Sequence, residues 1–189
     1  MTGQEHDLKT KSPSLQALLR SLSKLRFENI SGRKVDLVKD HPNPDYFVYG
    51  SHQTVIQIAS KDLRITFKSH FTVASTETLL KSKLVKGVLK PLYDLFMEYS
   101  NLVAGGVSQQ LHASEIVSGI SLPMATSGFD ELIASDAVRS TSFFDYWMIC
   151  GEGFSFTCTA IVDILEGAKL DGLNFKEEEE AEDGGLEFL

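Results

Sequence analysis

Apolar positions along the chain alternate between helical and strand spacing, and the changes of period divide it into elements. Behind Ser12-Pro13, a cap residue and a proline that suits a first helical position, Leu15, Leu18, Leu19, Leu22 and Leu25 recur at three and four residues. A first helix is expected there, ending near Gly32. Val35, Leu37 and Val38 suggest a short strand, and HPNPD at 41–45 a loop. Residues 46–58 and 63–71 concentrate β-branched and aromatic side chains and predict a hairpin turning near Ser60-Lys61-Asp62. A second helix is expected over 72–86, with Ser75 or Thr76 available as cap and Gly87 as terminator. A long helix over 91–111 follows, then a strand at 116–122 that runs into Pro123.

Residues 126–142 are small and polar, as in a long loop with room for a helical turn at 129–134. The last hairpin is expected to join 143–150 to 154–165 around Glu152-Gly153. In its second arm Phe154, Phe156, Cys158 and Ala160 alternate with Ser155, Thr157 and Thr159, so the first set should face helices and the second water. Helices packed on one face of a mainly antiparallel β-sheet, an α+β architecture, accommodate this order. Residues 1–11 read as a disordered leader, 12–175 as a single domain, and 176–189 as an acidic disordered tail that cannot build a core.

The long helix holds the least ordinary pattern. At about 100° per residue, Leu95, Phe96, Tyr99, Leu102, Val103 and Gly106 fall in one broad stripe, expected to be buried. Asp94, Glu98, Asn101, Gly105 and Ser108 fall together on the opposite side, expected to face outward. That outward stripe lacks the alternating Glu and Lys of a solvated face. It also contains a mid-helix glycine, which costs about 0.8–1 kcal/mol relative to alanine. A close approach by another molecule would account for the glycine. Taken alone, E-x-x-N is weak evidence, because Glu98 and Asn101 could be plain surface residues and Gly105 could pack against a neighbour.

Composition narrows the function classes. A chain of 189 residues, 42% apolar, suits one globular domain. Its 18 Lys+Arg against 26 Asp+Glu give a formal charge of −8, with no basic cluster to bind nucleic acid. No apolar run is long enough to span a bilayer, and MTGQEHDLKTKS is unlike a signal peptide, so a cytoplasmic location with no membrane partner is expected. Cys150 and Cys158 sit in apolar strand-like runs and read as core thiols. The histidines are dispersed and no metal site is expected.

The whole pattern is more specific than its tetrapeptide. Asp94, then Glu98 and Asn101, then LVAGG, then the ISLP run ending in Pro123, resembles the signature of the CheC/CheX/FliY family of chemotaxis phosphatases, over roughly residues 33–165. The first helix contains no second E-x-x-N, so the likeness is to CheX-like members with one site per chain. The family often has glycine in the strand before its second helix, where this chain has Leu63-Arg64.

The resemblance implies a CheC-like sandwich and hydrolysis of the aspartyl phosphate of a CheY-type response regulator. Such a hydrolysis needs a water in line with phosphorus, and a carboxamide can hold that water by hydrogen bonds alone. Asn101 suits that role. Glu98 suits an ion pair with a lysine beside the phosphoryl group of the partner. Both are the expected catalytic residues. Asp94, Gly105 and Ser108 are expected to bind the partner and Pro123 to shape the neighbouring strand. The resemblance also implies that the phosphorylated regulator supplies Mg²⁺, so the chain needs no cofactor of its own, and that the protein forms a homodimer through sheet edges. A non-catalytic interaction module of the same fold, binding a regulator or a flagellar or chemoreceptor component, is the alternative. Leu186, Phe188 and Leu189 behind the acidic run look like the short peptides by which some chemotaxis proteins hold CheY, although a solubilising tail is the simpler reading.

Overall fold

The computed structural model of the chain describes residues 6–41, 50–80, 90–127 and 142–165. Four helices, α1 (Leu8–Lys11), α2 (Pro13–Ser31), α3 (Val73–Thr76) and α4 (Lys90–Ala113), accompany seven strands among these residues. The strands are β1 (Leu37–Asp40), β2 (His52–Ser60), β3 (Leu63–Phe71), β4 (Ser118–Ile120), β5 (Met124–Ser127), β6 (Ser142–Gly151) and β7 (Phe154–Ile164). They form one antiparallel sheet in the order β1-β6-β7-β3-β2, with β4 and β5 both on the outer side of β2. The helices α2 and α4 cover one face of it.

Period and packing agree in the centre of this sandwich. Leu15, Leu19 and Phe27 from α2 meet Phe96, Tyr99 and Val103 from α4 over Ile65, Phe67, Trp147, Cys158 and Ala160 of the sheet, all fully buried. Phe71 and Phe96 stack with ring centroids 4.0 Å apart, and Phe27 lies 4.7 Å from Phe156, close ring contacts that fill the layer between helix and sheet. Gly106 is where α2 and α4 touch: a Cβ there would lie 3.1 Å from Leu22 Cδ2. Trp147 Nε1 donates to Ser23 Oγ, and Asp145 beside it takes hydrogen bonds from Gln16 and Arg20, so the polar atoms between α2 and β6 are paired.

Several expectations need correcting. The leader is not wholly free of structure: residues 6–11 dock, with Leu8 fully buried, the Phe144 N–H donating to the His6 carbonyl at 2.7 Å, and Asp7 Oδ1 capping α1 by accepting from Lys9 N–H. Ser12 sits at the cap of α2 without a side-chain cap bond. The first strand begins two residues later than Val35, because Val35 is buried and its N–H donates to Glu28 Oε1. The second helix appears as α3 plus a 3₁₀ turn, Glu77–Leu80, and is capped by Thr72, whose Oγ1 accepts from Ser75 N–H; its expected continuation to 86 lies outside the described residues. The same holds for most of the loop expected at 126–142 and for the acidic tail.

The reverse face of the sheet is also drier than alternation implied. Thr157, Thr159 and Asp163 are buried, as are Lys68 and His70 on β3. Lateral bonds explain how polar groups are accommodated there. His70 Nε2 and Thr159 Oγ1 are 3.0 Å apart, and Asp163 takes hydrogen bonds from both Arg64 and Ser142.

The expected strand at 116–122 is two short strands. Three steps along β2, from Ile58 to Val55, match four steps from Ile120 to Met124, so one extra residue bulges out of the edge around Pro123. Proline has no N–H for the ladder, and Ser121 bridges the gap by donating its N–H to the Gln57 carbonyl and accepting Gln57 N–H on Oγ.

Candidate functional site

The site is built on α4, which is held from three sides. Beneath it, Thr54 Oγ1 of β2 and Ser100 Oγ share a buried hydrogen bond of 3.0 Å, and Ser100 also donates to the Phe96 carbonyl. Beside it, α2 closes on Gly106. Near its C-terminal end, Ser108 Oγ meets Ser118 Oγ of β4 at 2.8 Å, while His112 Nε2 accepts the Ser118 N–H at 2.9 Å. These contacts fix which side of the helix is left open.

That open side carries Asp94 and Glu98, both exposed, and Asn101 and Gly105, both half-buried. Among the described residues no hydrogen bond or ion pair engages the side chain of Asp94, Glu98 or Asn101. Gly105 has open space where a Cβ would stand, with no atom within 4 Å, so packing inside this chain does not account for the glycine. Four of the five residues expected on the outward stripe therefore lie together on the accessible face.

Ser108 does not. It is 8% exposed and spends its hydroxyl on Ser118, so its expected partner-binding role is withdrawn. The buried arc of α4 is wider on that side than its apolar residues indicate, because β4 presents a serine to a serine. On the other side Leu95 and Leu102, expected in the buried stripe, are only half-buried and flank Glu98. Pro123 stands at the bulge between β4 and β5, one strand outward from β2, on which α4 rests.

The chemistry of the stripe is that of positioning. A carboxylate and a carboxamide one turn apart can bind a cation and a water at fixed separation. Among the described residues no group of three or more His, Cys, Asp and Glu is assembled for a metal ion, and no helix is long and apolar enough to cross a membrane.

Solved structures give this architecture a name. The chain aligns with a CheC-like superfamily protein from Shewanella at 11% identity, TM-score 0.59, covering 79% of this chain and 97% of that one. The chain has the CheC-like fold. CheX from Vibrio vulnificus matches at 12% identity and TM-score 0.58, over 77% of this chain and 96% of that one. A chain of a CheX-CheY-BeF₃-Mg²⁺ complex from Borrelia burgdorferi matches at 11% identity and TM-score 0.57, over 77% of this chain and 94% of that one. No protein-family model and no curated protein matches the sequence.

The sequence alone did not reveal the edge formed by β4 and β5. Val117, Ile120, Leu122 and Met124 project large apolar side chains into solvent there, with Leu122 85% exposed. The run IVSGISLPM carries the signal in its apolar content, but a bulge flips the facing of every residue beyond it, and no pattern in the sequence locates a bulge.

Proposed function

We propose that the protein is a CheX-like phosphatase that hydrolyses the aspartyl phosphate of a CheY-type response regulator and thereby terminates a chemotactic signal. The observation that carries this reading is the unengaged Glu98 and Asn101 pair on the open face of α4, in a CheC-like fold. A pure binding module has no chemical need for a carboxamide held free at that position.

In this reading α4 is laid against the phosphorylated regulator. Glu98 pairs with a lysine beside the phosphoryl group and sets the helix in register. Asn101 then holds a water in line with the phosphorus, opposite the leaving carboxylate, donating or accepting hydrogen bonds without removing a proton. Asp94 orients the partner one turn earlier, and Gly105 lets its backbone come close. Pro123 supports the strand edge beside the helix. Mg²⁺ comes with the regulator, and the protein acts as a homodimer paired through a sheet edge.

Steady-state hydrolysis of a ³²P-labelled regulator separates the two roles. Asn101→Ala should lower kcat by about 100-fold with little change in KM, as expected when a reacting water is misplaced. Glu98→Ala should raise KM by about tenfold to a hundredfold, since a hydrogen bond to a charged group contributes about 1.5–3 kcal/mol. Wild-type kinetics in both variants would remove the assignment.

A further inference from the structure

Resting on the reading above, we infer that Ile120 of β4 is a docking residue for the same response regulator, forming an apolar shelf beside the Glu98, Asn101 and Gly105 stripe. The register of the sheet places it. Thr54 meets Ser100 on α4, and Ser118, opposite Ser60, meets Ser108. Ile120 pairs with Ile58, between those two contacts, and therefore runs alongside the Ala104-Gly105 turn of the helix. It points to the same side of the sheet as Ser118 and Ile58, which is the side α4 covers.

Ile120 is nevertheless 43% exposed, and Leu122 beyond it is more exposed still. Next to it, Gly105 leaves open space above the helix. A domain that reaches Asn101 across Gly105 must pass over this shelf. Burying it would exclude water from the rim of the contact and strengthen the Glu98 ion pair by lowering the local dielectric.

Charge decides between occupants. Asp94 and Glu98 are exposed carboxylates on the face that adjoins the shelf, so they favour a partner that brings cations, as a lysine beside an aspartyl phosphate does. A second copy has the same formal charge of −8 and the same carboxylates, so it does not bring the cation that this face favours.

The test compares Ile120→Thr, which keeps a β-branched residue on the edge strand, with Ile120→Val and with wild type. KM and kcat are measured on the labelled regulator, and Kd on the same regulator activated with beryllofluoride. The expected result is a roughly tenfold rise in KM and Kd for Ile120→Thr at unchanged kcat, the scale of one interface anchor, with Ile120→Val close to wild type. Unchanged KM and Kd in Ile120→Thr, while wild type still hydrolyses the label, would overturn the docking role and leave the phosphatase reading standing. Unchanged KM with a loss of sedimentation mass would overturn it in favour of a second copy. If wild type accelerates no regulator's decay and matches Asn101→Ala, the phosphatase reading fails, and the docking role stands or falls on whether Ile120→Thr raises Kd.

Discussion

Asn101 owes its place to groups buried beneath the helix. Ser100, its neighbour in sequence, is buried and bonded to Thr54, which fixes the rotation of the helix and leaves the carboxamide on the open side. Single residues elsewhere carry measurable strain or charge. Glu115, just past α4, has φ 65°, a left-handed conformation that costs an L-residue roughly 1–2 kcal/mol. Glu115→Gly should therefore raise stability in denaturant unfolding by about 0.5–1 kcal/mol, after the entropy of glycine in the unfolded chain is subtracted. Burial, reinforced by nearby Lys68 and His41, lowers the pKa of His70 from 6.5 to about 3. The folded state keeps this imidazole neutral, whereas the unfolded chain binds a proton below pH 6.5. Its contribution is thus fully present above that pH and is lost as pH falls from 6.5 toward 3, by up to about 1.4 kcal/mol per pH unit. His70→Gln should flatten that slope in acid-unfolding curves, and an unchanged slope would assign it to other groups.

At the scale of elements, α4 makes a contrast between adjacent glycines. Gly105 faces open space, so Gly105→Leu should leave the fold intact and gain several tenths of a kcal/mol of helix propensity while weakening regulator binding. Gly106 faces Leu22 on α2 at 3.1 Å, so Gly106→Leu should destabilise the protein by about 1–3 kcal/mol through overpacking. Thermal unfolding of the pair checks both signs. The helix itself was legible: 91–111 was expected and Lys90–Ala113 is found, because Phe96, Tyr99, Val103 and Leu111 keep helical spacing. Its rotation was read less well. A wheel drawn from apolar residues misses burial of a serine against a serine, and so it puts Ser108 on the outward side although its hydroxyl meets Ser118. The last hairpin was legible within a residue at each end, with 143–150 and 154–165 expected and β6 and β7 found at Ser142–Gly151 and Phe154–Ile164, since Gly153 with φ 74° and the flanking alternation mark the turn. The docking of residues 6–11 rests on one leucine and a backbone bond to β6, which the polar composition of the leader conceals.

For the whole molecule, the order of elements already implied helices on one face of an antiparallel sheet, and the sheet β1-β6-β7-β3-β2 with β4 and β5 bears that out. What the order could not give was the state of the other face, where His70, Thr159 and Asp163 are buried and bonded between strands that are distant in sequence. Nor could it reveal the exposed apolar edge, because exposure depends on which strand ends the sheet. The two edges differ in kind. The β1 edge carries exposed Leu37 beside the charged Lys39 and Asp40, whereas β4 and β5 carry Ile120, Leu122 and Met124. Of these, Ile120 faces the side that α4 covers, beside the candidate site, whereas the bulge turns Met124, opposite Val55, to the reverse face. Removal of phosphate from a response regulator by the open face of α4 is read out by following loss of ³²P from each CheY-type regulator of the source organism, with wild type and with the Glu98→Ala/Asn101→Ala double variant. Accelerated loss for one regulator with wild type alone is the predicted result. Equal decay with both proteins, while that regulator still binds, would contradict the claim and leave a docking module in its place.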